Sequence, residues 1–287
     1  MKFDGAVIPI KPRPLGACID LAICFNRRHF GQILRLTLFF ALPAMALTTW
    51  MALTTDSGLI LSLVLFFFAS PVLGAVLVAG IGPYVFGDTL EVGRAFRSFT
   101  SRSLEVLPAL LTSRVILFMF GLFFYLIHWF LWVLYLPFIG VFLERSFMVA
   151  ELHLLEQLPA TKARSRRTDL RKGASGELCS RWLGTLTFSL LVTFILFLLV
   201  DLACKVLLGI EVFFGHFTSS MDYEWVVIAH QLTKPLPIII LQALLWLLYP
   251  IARLTHFFCY LDIRIRKECW DLELDYRIEA RRLKESA

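Results

Sequence analysis

The sequence predicts an all-α membrane protein with about six transmembrane helices in three hairpins, each preceded by a basic amphipathic interfacial helix. Three observations predict it. First, 58% of the 287 residues are hydrophobic, 17% are charged and 27 are phenylalanine, a composition outside that of soluble domains. Second, several uncharged runs reach the ~20 residues needed to cross the hydrocarbon core. Third, Lys and Arg gather at alternate ends of those runs, as the positive-inside rule requires of a spanning chain.

Taken in order, Met1 to Pro14 is Pro-rich and reads as an irregular cytoplasmic arm. Its Lys and Arg and the lack of a long apolar core argue against a cleaved signal peptide. Leu15 to Leu34 places Leu15, Ile19, Ala22, Phe30 and Ile33 on one helical face, with Arg27, Arg28 and His29 at the membrane edge. Residues 1–35 are therefore an arm plus an interfacial helix. Leu36 to Thr55 gives 20 residues without a charge, and Ser57 to Gly87 gives 31 more after an Asp56-Ser57-Gly58 turn. These two runs make the first hairpin, with kinks expected at Pro43 and Pro71.

Residues 90–106 form the second amphipathic stretch: Val92, Ala95, Phe96, Phe99 and Val106 share one face, Arg94, Arg97 and Arg102 the other. From Val106 the chain is apolar to Leu143 apart from Arg114, too long for one span. A break near His128-Trp129 divides it, and the fourth span runs on toward Leu155. Residues 160–182 are the third basic stretch, carrying the densest positive charge in the chain above a thin stripe of Ala163, Leu170, Ala174, Leu178 and Trp182. The fifth span covers about Leu183 to Val206 and the sixth about Pro235 to Tyr260, completing a membrane domain over 36–260. Between them, 209–234 reads as a surface-lying or re-entrant outer segment. Residues 261–287 are a charged helical tail in which Ile265, Leu272, Tyr276 and Leu283 offer an apolar side. This topology leaves Lys205 and Lys234 outside and the other 26 of the 28 Lys and Arg inside or at the inner edge. Both termini are then cytoplasmic and the location is the plasma (inner) membrane.

The end of the chain also carries a resemblance. Tyr260-Leu-Asp-Ile-Arg-Ile-Arg-Lys-Glu-Cys-Trp-Asp-Leu-Glu-Leu274 resembles the ending of a broad group of bacterial membrane proteins similar to the membrane domain fused to some glycerophosphodiester phosphodiesterases. Glu156 with Ala163-Arg-Ser165, Asp169-Leu170 and Gly173 is similar to a second stretch of that group, and Arg13-Pro-Leu15 through Arg27-Arg28-His-Phe30 to its opening. The resemblance implies a six-helix membrane module, often found alone. Cys269-Trp270 stands where Gly-Phe is usual, and no phosphodiesterase domain is attached, so that activity does not carry over.

Candidate chemistry is sparse, and no catalytic residue, cofactor or metal site is expected. Gly173-Ala-Ser175-Gly176 spells the GxSG of intramembrane serine proteases, but it lies among basic residues at the surface and reads as a turn. Glu151, His153 and Glu156 lack the paired Glu-x-x-His repeats of a di-iron bundle. None of the six cysteines forms a CxxC or zinc-finger pattern, and five of them lie on or near the inner side, where thiols stay reduced. Arg114, Glu144, Arg145 and Glu151 are charges within apolar spans three and four, where charges are costly and face a partner or a wet cavity. They fit either an anionic headgroup site or an Arg114–Glu144 pair that merely holds the hairpin. Arg164, Arg166, Arg167, Arg171 and Lys172, with Asp262, Arg264, Arg266, Lys267, Glu268 and Asp271 of the tail, are the candidate lipid or partner contacts. The net charge of +6 is matched to anionic lipid headgroups at the membrane edge, not to nucleic acid. The function this favours is a non-enzymatic scaffold or accessory subunit of a bacterial envelope system that engages a protein partner on its cytoplasmic face. The competing reading is a transporter or lipid-handling permease built on the charged cluster.

Overall fold

The computed structural model describes residues 12–55, 58–85, 91–127, 148–210, 212 and 234–268. They are helical throughout, without a strand among the described residues. In order these are α1 (Leu15–Arg28), α2 (Phe30–Thr54), α3 (Gly58–Val85), α4 (Val92–Ile127), α5 (Val149–Leu154), α6 (Ala160–Arg171), α7 (Ser175–Ala203) with a π turn over Cys204–Leu208, and α8 (Pro235–Glu268). Five helices, Phe30–Thr54, Gly58–Val85, Val92–Phe123, Ser175–Leu208 and Pro235–Glu268, are long and apolar enough to cross a membrane. Their large apolar side chains stand outward: Phe39, Leu42, Trp50, Leu53, Phe194 and Leu199 are all exposed. In water that surface would be prohibitive; in lipid it is the solvated face. The chain is an all-helical, multi-pass membrane protein. The breaks at 56–57, 86–90 and 128–147, the outer segment apart from its first residues, and the tail beyond Glu268 lie outside the described residues.

Local chemistry places the helix ends. α1 stops at His29, whose φ of −111° and ψ of 25° leave the helical region before α2 begins. The stretch expected as one interfacial helix to Leu34 is thus a separate helix that buries Cys18, Ala22 and Phe25 on one face. The start of α3 lies close against α2, since a Cβ on Gly58 would come within 2.7 Å of the Ala52 Cα. α4 runs unbroken from Val92 past Pro108, so the amphipathic stretch from Val92 to Val106 continues into the apolar run as one helix. The 160–182 stretch is divided: Gly173, at φ 79°, ends α6 in the left-handed conformation, and α7 starts at Ser175. Across that break the predicted apolar stripe is kept, with Ala163, Leu170, Leu178 and Trp182 all buried.

The chain divides into two compact bodies. One comprises Ile33–Leu73 and Leu186–Pro250. Within it, Gln242 Nε2 donates to the Ser62 carbonyl at 3.3 Å and Trp246 meets Phe66 edge-on at 5.2 Å. Each contact advances four residues on both helices, so α3 and α8 run the same way there. Phe197 and Leu244 centre its core, and an apolar groove of about 440 Å³ opens between Leu59, Leu63, Phe194, Phe197, Ile238 and Leu245.

The other body comprises Met1–Gln32, Gly74–Thr185 and Ile251–Ala287. Phe25 of α1 packs edge-on against Tyr84 and Phe258, which seats α1 on the ends of α3 and α8. The last turns of α8 are enclosed: Leu261, Asp262, Ile263, Arg264 and Ile265 are all buried. The start of the charged tail is therefore interior to this body and continuous with the apolar run of α8 as far as Glu268.

Candidate functional site

Three sets of buried charge organise this second body. The first centres on Glu151 of α5, which is fully buried and meets the Arg253 guanidinium at 2.7 Å. Arg253 also donates from Nε to the Gly74 carbonyl of α3 at 3.3 Å, which fixes the fork of its side chain. His256, three residues further along α8, lies within electrostatic reach of both Arg253 and Arg114. Of the predicted cluster, then, Glu151 is in place with Arg114 in the same neighbourhood, whereas Glu144 and Arg145 lie outside the described residues. The partner of Glu151 is Arg253, which the predicted cluster does not include.

The second set clamps the arm. Asp262, 1% exposed, takes Arg181 at 2.6 Å and Arg266 at 2.7 Å on Oδ2, and its Oδ1 accepts the backbone N–H of Arg13. Arg181 and Arg266 each donate to the Arg13 carbonyl at 3.1 Å, and both reach Glu177, at 2.7 and 2.8 Å. Arg13 is thus held through both of its backbone polar groups, joining the arm to the start of α7 and the end of α8.

The third set is built on Glu156. Its Oε1 accepts the Tyr260 hydroxyl at 2.6 Å and pairs with Arg264 at 3.2 Å, while Oε2 pairs with Arg166 at 3.3 Å. Arg264 and Arg166 both go on to Glu268, the former at 2.7 Å. Lys267 donates to the carbonyls of Asp169 and Lys172 at the end of α6, satisfying groups that the helix leaves unpaired. Gln157, next to Glu156, is held at φ 53°. A side chain there costs on the order of 1 kcal/mol, so Gln157→Gly is expected to raise the unfolding temperature in detergent by a few degrees, and a fall would show that the amide side chain is needed.

Most of the predicted contact residues are thus engaged within the chain. Arg166, Asp262, Arg264, Arg266, Lys267 and Glu268 make the ties just described, and Lys172 contributes its carbonyl. Arg164 is exposed, Arg167 and Arg171 are half-buried, and Asp271 lies outside the described residues. Arg13, Glu177, Arg181 and Tyr260 are the participants that sequence reasoning missed. The visible signals were the i,i+4 spacing of Glu177 and Arg181 and the places of Arg13 and Tyr260 at the start of two of the resembling stretches.

Together the fold and these ties define a polytopic helical membrane protein with one body closed by buried ion pairs. Comparison with protein families, with curated proteins and with solved structures finds no match to the chain.

Proposed function

We propose that the protein is a non-enzymatic scaffold or accessory subunit of a bacterial envelope system, embedded in the plasma membrane by six spans in three hairpins with both termini cytoplasmic. The observation that carries this reading is the tying together of the arm, α6, α7 and the end of α8 by Arg13, Glu156, Arg181, Asp262 and Arg264. A face fixed by so many charge-assisted bonds is suited to presenting a constant surface. Outside those ties, Arg27, Arg28, Arg97, Lys162 and Arg164 are exposed on α1, α4 and α6, the arrangement that anionic headgroups attract.

Six crossings are favoured by the return of the chain to α4. It leaves that helix at Ile127, yet Arg102 donates to the His153 carbonyl of α5 at 3.3 Å. Residues 102 and 127 of one helix are about 37 Å apart at 1.5 Å per residue, and a return over that distance supports counting one more crossing in this reading. The resemblance to the membrane modules fused to phosphodiesterases fits this reading too. Its three stretches meet in one body, Arg13 against Asp262 and Glu156 against Tyr260 and Arg264.

The test is an affinity pull-down in mild detergent of the full chain beside a version ending at Glu268, with copurified proteins and lipids identified by mass spectrometry. Ending the chain at Tyr260 would remove Asp262 and Arg264 and unfasten the body, so Glu268 is the proper limit. A defined protein partner lost with residues 269–287, while anionic lipid persists in both, supports the scaffold. The same proteins recovered with both versions would sink it. A second reading, a permease, rests on the buried Glu151–Arg253 pair, since ionisable groups within apolar helices often mark a solute path.

A further inference from the structure

Three polar atoms in the body of Ile33–Leu73 and Leu186–Pro250 have no hydrogen-bond partner among the described residues: Thr48 Oγ1 of α2, and Gln242 Oε1 and Trp246 Nε1 of α8. The three residues are each 1% exposed, so bulk water does not serve them, and lipid offers no partner. Gln242 and Trp246 lie one turn apart on one face of α8, with Cβ atoms about 5–6 Å from each other. Both rest on α3, Gln242 through the bond from Nε2 to the Ser62 carbonyl at 3.3 Å and Trp246 through Phe66 at 5.2 Å. That bond also orients the amide. Only its nitrogen can donate to a carbonyl, so Oε1 is turned away from Ser62. Thr48 differs from its neighbours in α2: the hydroxyls of Thr37, Thr49 and Thr54 donate to the carbonyls four residues back, at 2.9, 2.8 and 2.8 Å, and its own does not. Thr48 lies one turn before Ala52 and Ser62 one turn beyond Gly58, the two residues at which α2 and α3 come together.

We propose that Thr48, Gln242 and Trp246 bind one water molecule in a closed seam between α2, α3 and α8. From the contact at 52 and 58 the first two helices run back along each other, which brings Thr48 level with Ser62 and so with Gln242. The indole donates and cannot accept, while the amide oxygen accepts and cannot donate, so the guest must do both. None of the three side chains carries a charge, so an ion would find no counter-charge among them. Burial restricts the guest to the smallest molecule that combines the two roles. Trp246 Nε1–H donates to the water oxygen, the water donates to Gln242 Oε1, and its second proton goes to Thr48 Oγ1. Three bonds are the usual complement of a buried water. A bond carried through water is nearly as favourable as a direct one, which accounts for a glutamine facing inward in an otherwise apolar run. The water adds α2 to a pair, α3 and α8, that the Gln242–Ser62 bond already joins.

The experiment uses the full chain in detergent micelles with isotopically labelled tryptophan, and the probe is water itself. The indole N–H resonance of Trp246 is assigned by its disappearance in Trp246→Phe. The expected result is a cross-peak between that proton and water whose sign differs between laboratory-frame and rotating-frame spectra. Such a sign change marks a water held in contact, whereas proton exchange gives the same sign in both. The cross-peak is expected to vanish in Gln242→Leu and in Thr48→Val, each compared at unchanged unfolding temperature. The second variant decides the matter if the first does not fold. Absence of any water contact at the Trp246 indole of the unaltered chain overturns the proposal. A cross-peak that persists in either folded variant overturns the three-sided site, because that side chain would then hold nothing.

Discussion

Replacing Arg253 by alanine is expected to destabilise the protein by about 3–5 kcal/mol, read from thermal or denaturant unfolding in detergent, while Glu151→Leu combined with Arg253→Leu recovers most of that loss. The asymmetry follows from burial. Glu151 has no exposed surface and its carboxylate sits 2.7 Å from the Arg253 guanidinium. Removing one partner strands the other charge where no water reaches it, and the remaining group must neutralise or drag the helix open. Removing both exchanges a desolvated pair for apolar contact, which in comparable sites is close to neutral. The Gly74 carbonyl that Arg253 Nε also serves loses a partner in either variant, so recovery stops short by about 1 kcal/mol. A neutral single variant would mean that water reaches the pair. A stable double variant that has lost a measurable solute flux would move the function toward the permease, because the pair would then be dispensable for folding and needed for work.

The sequence made the spans legible and hid what fastens them. The uncharged run to Thr55 and the next from Ser57 correspond to α2 ending at Thr54 and α3 starting at Gly58, because backbone groups in lipid must be satisfied within a helix and charge sets where lipid ends. The stripe of Ala163, Leu170, Leu178 and Trp182 was visible as period and is buried. By contrast, nothing in the hydropathy of 92–127 distinguishes a helix lying in the interface that then turns from one that simply continues. Pro108 does not interrupt it, so α4 is unbroken. The tail was legible only as two alternatives, a docked helix or a solvated one. Asp262, Arg264, Arg266 and Glu268 alternate in sign at helical spacing, the usual mark of a solvated helix, and their burial depends on Glu156, Arg166, Arg181 and Arg13, which approach from distant parts of the chain. A charge pattern read along one helix does not say whether water or another helix supplies its counter-charges. The same limit hid Arg253 as the partner of Glu151.

Asp262→Ala is expected to cost about as much as the loss of Arg253, roughly 3–5 kcal/mol, and to release the arm. Three groups lose their acceptor at once, but they do not lose equally. Arg266 has a side chain 38% exposed, so it can turn to water and keep Glu177, and its share is small. Arg181, at 6%, cannot reach water, and its charge must then be carried by Glu177 and the Arg13 carbonyl alone. The Arg13 N–H is freed as well, and with it the start of α1. Most of the cost therefore comes from Arg181, which predicts that Arg181→Leu added to Asp262→Ala restores stability, whereas Arg266→Leu added to Asp262→Ala does not. Asp262→Asn should fall between, since its carbonyl oxygen still accepts from Arg13 while the charge is gone. Limited chymotryptic proteolysis at Leu15, the first residue of α1, separates the local effect from the global one. The arm should be cut faster in Asp262→Ala than in the Arg253 variant at matched global stability, because only the former unfastens it. Equal cutting rates in the two would mean that the arm is held by the packing of Phe25 against Tyr84 and Phe258, with the clamp adding nothing to it.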